Sequence, residues 1–129
     1  MIELHYYPSN ASFAPHILLE EMGIPYTLRP VDRANNEHKS PAYLKLNPNG
    51  LIPTLVDGDL VLYETAAILM HLADCHPGFA PAPGTAQRAQ YYKWMVWLTN
   101  TLQAMLIHYF YPDRMASEAA EVKARAEAQ

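Results

Sequence analysis

Three short segments of this 129-residue chain place chemically useful groups at suggestive spacing. In Leu51-Ile52-Pro53-Thr54 a proline begins a strand directly after a turn. That is a position where the weak trans preference of X–Pro bonds admits a cis peptide. A cis bond there turns the Ile52 N–H and C=O outward, ready to pair with an extended peptide as an added strand would. The simpler use of Pro53 is to start an edge strand. In Tyr63-Glu64-Thr65 an acid and a hydroxyl precede the apolar stretch Ala66-Ala67-Ile68. Free N–H groups and the macrodipole make the start of such a helix an anion site, although Glu64 and Thr65 also suit an ordinary cap and first turn. The third segment, YYPSNAS, gathers the hydroxyls of Ser9 and Ser12 beside Asn10 in a tight turn. Ser12 there could equally cap the helix that follows.

These segments need elements to hold them. Ile2–Tyr6 reads as a strand, Ser12–Met22 as a helix with Phe13, Ile17 and Met22, and Leu18 and Leu19 between, at helix-compatible spacing, and Tyr26–Arg29 as a second strand. Gly23 stands where that first helix should end. Ser40-Pro41 pairs an N-cap with proline at the first helical position and opens a short helix toward Leu46. Leu55-Val56-Asp57-Gly58-Asp59-Leu60-Val61-Leu62 reads as a hairpin turning at Asp-Gly. Ala66–His76 reads as a helix carrying Ile68, Leu69 and Leu72. The order β-α-β-α-β-β-α describes an α/β thioredoxin-like layer.

Proline divides the chain: ten of its eleven prolines precede Gly84, and none falls between Gly84 and Pro112. The reading is therefore a domain over 1–76, a stiff linker over 77–84 and the start of an all-α domain over 85–129. Thr85 is a plausible N-cap. Trp94, Trp97, Leu98, Thr101, Leu102 and Met105 follow with an i, i+3, i+4 rhythm. After Pro112 the composition turns alanine-rich and helical, with Met115, Ala119 and Val122 as its inward stripe. The helical part reads as truncated. Were it to end at Gln129, Trp94, Trp97 and Met105 would leave a large apolar patch, with a swapped or extensive dimer, poor solubility or weak turnover as consequences.

Composition excludes several classes. Half of the residues are hydrophobic and 17% are charged, which suits a packed core and is too apolar for disorder. A net charge of −4 argues against a nucleic-acid binder. The start, MIELHYYP, does not look like a signal peptide, and no apolar run approaches the roughly 20 residues of a membrane span. The single cysteine, Cys75, can form no internal disulfide and is expected to be an oxidation-prone surface or half-buried thiol. His71 and His76 are five apart, off the i, i+4 spacing of a helical metal pair, so no metal is expected. A cytoplasmic location follows from this reading.

Asn47-Pro48-Asn49-Gly50-Leu51-Ile52-Pro53-Thr54-Leu55, followed by Tyr63-Glu64-Thr65-Ala66-Ala67-Ile68, resembles the glutathione transferase family. The turn YYPSNAS and the segment HKSPAYLKLNP extend the resemblance over essentially the whole chain. It implies that Ile52, beside Pro53, holds the cysteinyl unit of glutathione as an added strand. It also implies that Thr65 offers its N–H and hydroxyl to the γ-glutamyl carboxylate while Glu64 takes the ammonium. His38 and Lys39, in the polar stretch NNEHKS, match residues that reach the glycyl carboxylate, although a solvated loop fits them equally. In the serine-type classes Ser9 matches the catalytic hydroxyl. In the bacterial class, whose turn resembles PSNASFAPHI, the cysteine position holds Ala11 and Ser12 is its neighbour. Ser9 is the first choice for the thiolate donor and Ser12 the second. Asn100 and His108 match the electrophile side of the cleft; a packed or interface histidine is the alternative for His108.

The implied chemistry is energetically reasonable. Lowering a thiol pKa by about 2 units requires roughly 2.7 kcal/mol of preference for the anion. A hydrogen bond to a charged group contributes about 1.5–3 kcal/mol, and a helix N-terminus up to about 1–2. The resemblance thus implies a homodimeric transferase that adds glutathione, as co-substrate, to a hydrophobic electrophile. The alternatives are a non-catalytic binding or regulatory module of the same family, or a glutathione-dependent disulfide reductase or peroxidase.

Overall fold

The computed structural model describes residues 1–112, 124, 127 and 128. The expected stripe of Met115, Ala119 and Val122 lies outside them. The chain divides into two compact units, Met1–Ala80 and Pro81–Gln129.

In the first unit β1 (Ile2–Tyr6), α1 (Phe13–Met22), β2 (Tyr26–Pro30), α2 (Pro41–Leu44), β3 (Thr54–Asp57), β4 (Leu60–Tyr63) and α3 (Thr65–Cys75) follow in order. A single-turn 3-10 helix, Glu37–Lys39, precedes α2. The four-stranded sheet runs β2-β1-β3-β4, with β1 parallel to β2 and the other neighbours antiparallel. This is the thioredoxin-like layer that the sequence describes. Asp57 pairs with Leu60, closing a two-residue loop in which Gly58 has φ +60°, the conformation that makes Asp-Gly a hairpin signal.

Alternation along β1 sends Ile2 and Leu4 to the helix-covered face, where they meet Leu19 of α1, Leu55 of β3, and Ile68 and Leu72 of α3. Of the five apolar residues read on α1, three face the core and two do not. Phe13 and Ile17 are 62% and 46% exposed, whereas Pro15 and Leu19 are buried and Leu18 and Met22 pack on the core. Positions 15, 18, 19 and 22 make a regular stripe, and packing against the sheet selects it.

The loop from α2 to β3 carries no regular structure, and buried polar groups hold it. Asn47, 1% exposed, donates from Nδ2 to the Leu51 carbonyl at 2.8 Å and accepts the Asn49 N–H at 3.0 Å. The Tyr43 hydroxyl donates to the same Leu51 carbonyl at 2.7 Å and lies 3.0 Å from the Thr54 hydroxyl. Burial pushes the Tyr43 phenol up, and the Thr54 hydrogen bond pulls it the other way. Ser40 caps α2 by accepting the Tyr43 N–H, as the sequence reading expects.

The second unit opens with Thr85, whose side chain accepts the Arg88 N–H at the start of α4 (Ala86–Trp97). The buried Arg88 guanidinium donates to the Pro81 carbonyl at 3.0 Å and lies over the rings of Tyr91 and Tyr92. The helix then widens into a π-helical segment, Leu98–Gln103, before α5 (Ala104–Phe110). The expected unbroken helical face is therefore interrupted. The Thr99 hydroxyl, 3.1 Å from the Met95 carbonyl and 3.0 Å from that of Val96, serves carbonyls where the turns widen. Among the described residues no helix is long and apolar enough to cross a membrane.

Two outcomes follow. Tyr43→Phe, which leaves Thr54 without its partner, lowers the free energy of unfolding by about 1–2 kcal/mol in urea titrations, and Asn47→Ala by more, because the Asn49 N–H loses its partner, the Leu51 carbonyl loses one of two, and a cavity opens at a buried site. Half-burial of His5, opposed by the nearby Glu3 charge, holds its imidazole below the ordinary value. The unfolded chain therefore binds that proton more readily, and stability falls as pH drops through about 6.5. His5→Phe makes the measured decline shallower.

Candidate functional site

Strand direction collects the candidate residues. Tyr6, at the end of β1, lies beside Pro30, at the end of parallel β2. His5 pairs with Thr54, at the start of antiparallel β3, and Thr54 pairs with Tyr63, at the end of β4. The turn 7–12, the loop after Pro30, the segment ending at Pro53 and the step from β4 into α3 therefore all leave the sheet at one edge. Ser9, Ser12, Ile52, Pro53, Glu64 and Thr65 lie on three of these connections. His38 and Lys39 lie on the fourth.

The two serines differ sharply. Ser12, 1% exposed, has its hydroxyl engaged inside the turn: it accepts the Tyr7 N–H at 3.2 Å and lies 2.9 Å from the Tyr7 carbonyl and 2.6 Å from Asn10 Oδ1. It stands at the N-cap position of α1 yet makes no side-chain capping bond, so the capping role considered for it is not what its hydroxyl does. Ser9 is exposed and has φ +59°. A non-glycine residue in this left-handed region is uncommon, and the turn must hold it there.

The Ile52–Pro53 bond is cis. Ile52 itself is half-buried, and among the described residues its N–H and C=O take no part in the backbone hydrogen bonds of the loops. Glu64, the residue before α3, is exposed and has φ +73°, a second non-glycine outlier. Its carbonyl accepts the Ile68 N–H, so it begins the helix without a side-chain cap. Thr65 is the first residue of an 11-residue helix, whose leading N–H groups and dipole favour an anion.

Lys39 reaches the loop before β3. Its ammonium donates to the Asn49 carbonyl at 3.1 Å and the Gly50 carbonyl at 2.9 Å. His38 is half-buried in the 3-10 turn. Gly50 is itself closely packed, with φ +59°: a Cβ there would stand 2.8 Å from both the His38 carbonyl and Lys39 Nζ. Asn100, exposed in the π-helical segment, and His108, half-buried in α5, belong to the second unit.

Sequence reading did not single out Tyr43, Asn47 and Thr54 as supports of the site. The available signal was polar groups at both ends of and within a short helix-to-strand connection, Tyr43 in α2, Asn47 in the connection and Thr54 opening β3, which burial obliges to find partners. Among the described residues no group of three or more His, Cys, Asp and Glu side chains could hold a metal ion.

Gly50→Ala tests the closeness of this packing. The added methyl meets backbone as well as the lysine, and left-handed alanine is strained, so a loss of about 1–3 kcal/mol is expected in denaturant melts.

Residues 2–74 match the family model of the glutathione S-transferase N-terminal domain. Glutathione S-transferase 3 of Zea mays is 40% identical over 98 residues, spanning 74% of this chain and 40% of that protein. The uncharacterized GST-like protein YncG of Escherichia coli is 33% identical over 123 residues, spanning 94% of this chain and 60% of its own length. The chain thus spans about half the length of these relatives. The crystal structure of a glutathione transferase homologue from Sulfitobacter, with bound glutathione, superposes with a TM-score of 0.85 at 31% identity and covers 99% of this chain and 64% of that one. A family model covering all four strands, together with these likenesses, shows that the chain belongs to the glutathione transferase family.

Proposed function

We propose that the chain binds glutathione at the sheet edge defined by Ser9, Ile52 and Glu64–Thr65 and activates its thiol for attack on a hydrophobic electrophile. The observation that carries this reading is the convergence of three connections, each offering a different group. Ile52 offers backbone N–H and C=O for a peptide laid alongside as a strand. The start of α3 offers N–H groups, with the Thr65 hydroxyl, to a carboxylate, and Glu64 offers an acceptor to the neighbouring ammonium. Bound glutathione in the Sulfitobacter homologue supports the same ligand.

Ser9 is the proposed donor to the thiolate, since its exposed hydroxyl is available while that of Ser12 is engaged with Tyr7 and Asn10. Lys39 holds the Asn49-Gly50 backbone and, with His38, flanks the expected position of the glycyl carboxylate. Asn100 and His108 are carried as electrophile-side residues. The reading includes a homodimer: Trp94, Val96, Leu98 and Phe110 are exposed apolar side chains of the helical unit, and covering such groups favours association.

Titrating glutathione across pH, with the thiolate absorbance of the bound ligand as readout, is expected to show ionisation well below that of the free thiol. Ser9→Ala raises the pH of that transition by about 1–2 units and lowers turnover by about tenfold to a hundredfold while binding persists. Binding without an ionisation shift would instead establish the non-catalytic module. Disulfide and hydroperoxide substrates in the same assay separate conjugation from reduction. Thr65→Val, which removes one hydroxyl from a carboxylate, weakens glutathione binding about tenfold by calorimetry.

A further inference from the structure

The face of the sheet opposite the apolar core holds a cavity of about 270 Å³. Alternation along β1 turns His5 away from the face on which Leu4 is buried, and Arg29 of β2 stands beside it in the parallel register. The connection from Val31 to Leu46, with its 3-10 turn and α2, supplies the other walls, Glu37 among them. Val31 and Leu46 give the cavity an apolar lining. Drug-sized ligands occupy roughly 300–1,000 Å³, so this chamber suits a molecule no larger than a single amino acid.

Three polar groups reach the cavity with bonding capacity to spare. The Arg29 guanidinium donates from Nη2 to Glu3 Oε1 at 2.6 Å, which leaves most of its donors. Glu37 Oε2 accepts the Asp32 N–H, and the other oxygen of that carboxylate accepts nothing among the described residues. His5 is half-buried with its ring 6.0 Å from that of Tyr43, and among the described residues neither of its ring nitrogens has a hydrogen-bond partner. Burial, opposed by the Glu3 charge, holds this imidazole below its ordinary value, so at neutral pH the ring is uncharged and offers both a donor and an acceptor. By contrast, the Ser40 and Tyr43 hydroxyls on the wall are committed to the start of α2 and to Leu51 and Thr54. A cation, an anion and an unpartnered imidazole thus share one small chamber.

We infer that this cavity binds a small zwitterion, a free amino acid with an apolar side chain. Its carboxylate meets Arg29, its ammonium meets Glu37, and a ring nitrogen of His5 adds a further hydrogen bond. The apolar side chain lies against Val31 and Leu46. A simple organic anion would leave Glu37 opposed to its charge, and a simple amine would do the same to Arg29. The inference does not rest on the glutathione reading, since Ser9, Ile52, Glu64 and Thr65 do not line the cavity.

L-Leucine is the probe, titrated without glutathione into the whole isotope-labelled chain and followed by amide chemical shifts. Saturable shifts at Val31 and Ala42 with a Kd of about 1 mM or tighter are expected. Isocaproate, which lacks the ammonium, and isoamylamine, which lacks the carboxylate, each bind at least about tenfold more weakly. Arg29→Gln and Glu37→Gln each weaken leucine binding about tenfold, and His5→Phe, which keeps a ring against Tyr43, about fivefold. The absence of saturable shifts overturns the inference. So does isocaproate or isoamylamine binding as tightly as leucine, or a Glu37→Gln chain of unchanged affinity. Should Arg29→Gln fail to fold by circular dichroism, Glu37→Gln decides, because Glu37 is exposed in its turn. Saturating glutathione is expected to leave the leucine affinity unchanged, and competition between the two would refute a separate site.

Discussion

Because β1 ends where β3 begins and β4 ends, the pairings of His5 with Thr54 and of Thr54 with Tyr63 decide where every candidate group can stand. A sheet residue points to one face or the other, so a slip of one residue along β3 would send Leu55 away from Leu4 and Ile68. The same slip would move the Ile52–Pro53 step out of line with the turn at Ser9. Core packing and site geometry thus depend on one register. The apolar contacts of Leu4, Leu55 and Leu72 enforce it because all three are fully buried.

Register alone does not shape the connections, and here the buried polar groups act. The Leu51 carbonyl receives both Tyr43 and Asn47, and the Asn49 and Gly50 carbonyls receive Lys39. An irregular loop near a core would otherwise strand its backbone groups. These side chains serve three successive carbonyls, whereas the N–H and C=O of Ile52 take no part in the backbone hydrogen bonds of the loops. The support is one-sided. It holds the carbonyls of Asn49, Gly50 and Leu51, all before Ile52.

Much of this was legible before any coordinates. The β3–β4 hairpin announced itself through Asp57-Gly58, α2 through Ser40-Pro41, and the motif containing Ile52 and Pro53 through its spacing from Glu64-Thr65. What was hidden has identifiable causes. Helix α1 carries five apolar residues, and only packing on the sheet separates Leu18, Leu19 and Met22 from the exposed Phe13 and Ile17. The π-helical segment Leu98–Gln103 contains neither glycine nor proline to mark it. The Thr99 hydroxyl that contacts the Met95 and Val96 carbonyls looks ordinary in sequence.

Ser9 and Glu64 show how local preference and tertiary structure divide the work. Both are non-glycine residues with positive φ, conformations that cost about 1–3 kcal/mol each and that an isolated segment would not hold. Each stands between two anchored points. Ser9 lies between β1 and the Ser12 hydroxyl network that ties Asn10 back to Tyr7. Glu64 lies between Tyr63, paired with Thr54, and the first turn of α3 closed by its own carbonyl to Ile68. The anchors on either side determine the conformation, so the side chains at the bends are free of structural duty. Glycine would satisfy both bends at less cost in backbone strain, but it would supply neither a hydroxyl nor a carboxylate. Asn36, with φ +60°, is a third such residue, so the fold holds left-handed non-glycine residues at three bends on this side of the sheet.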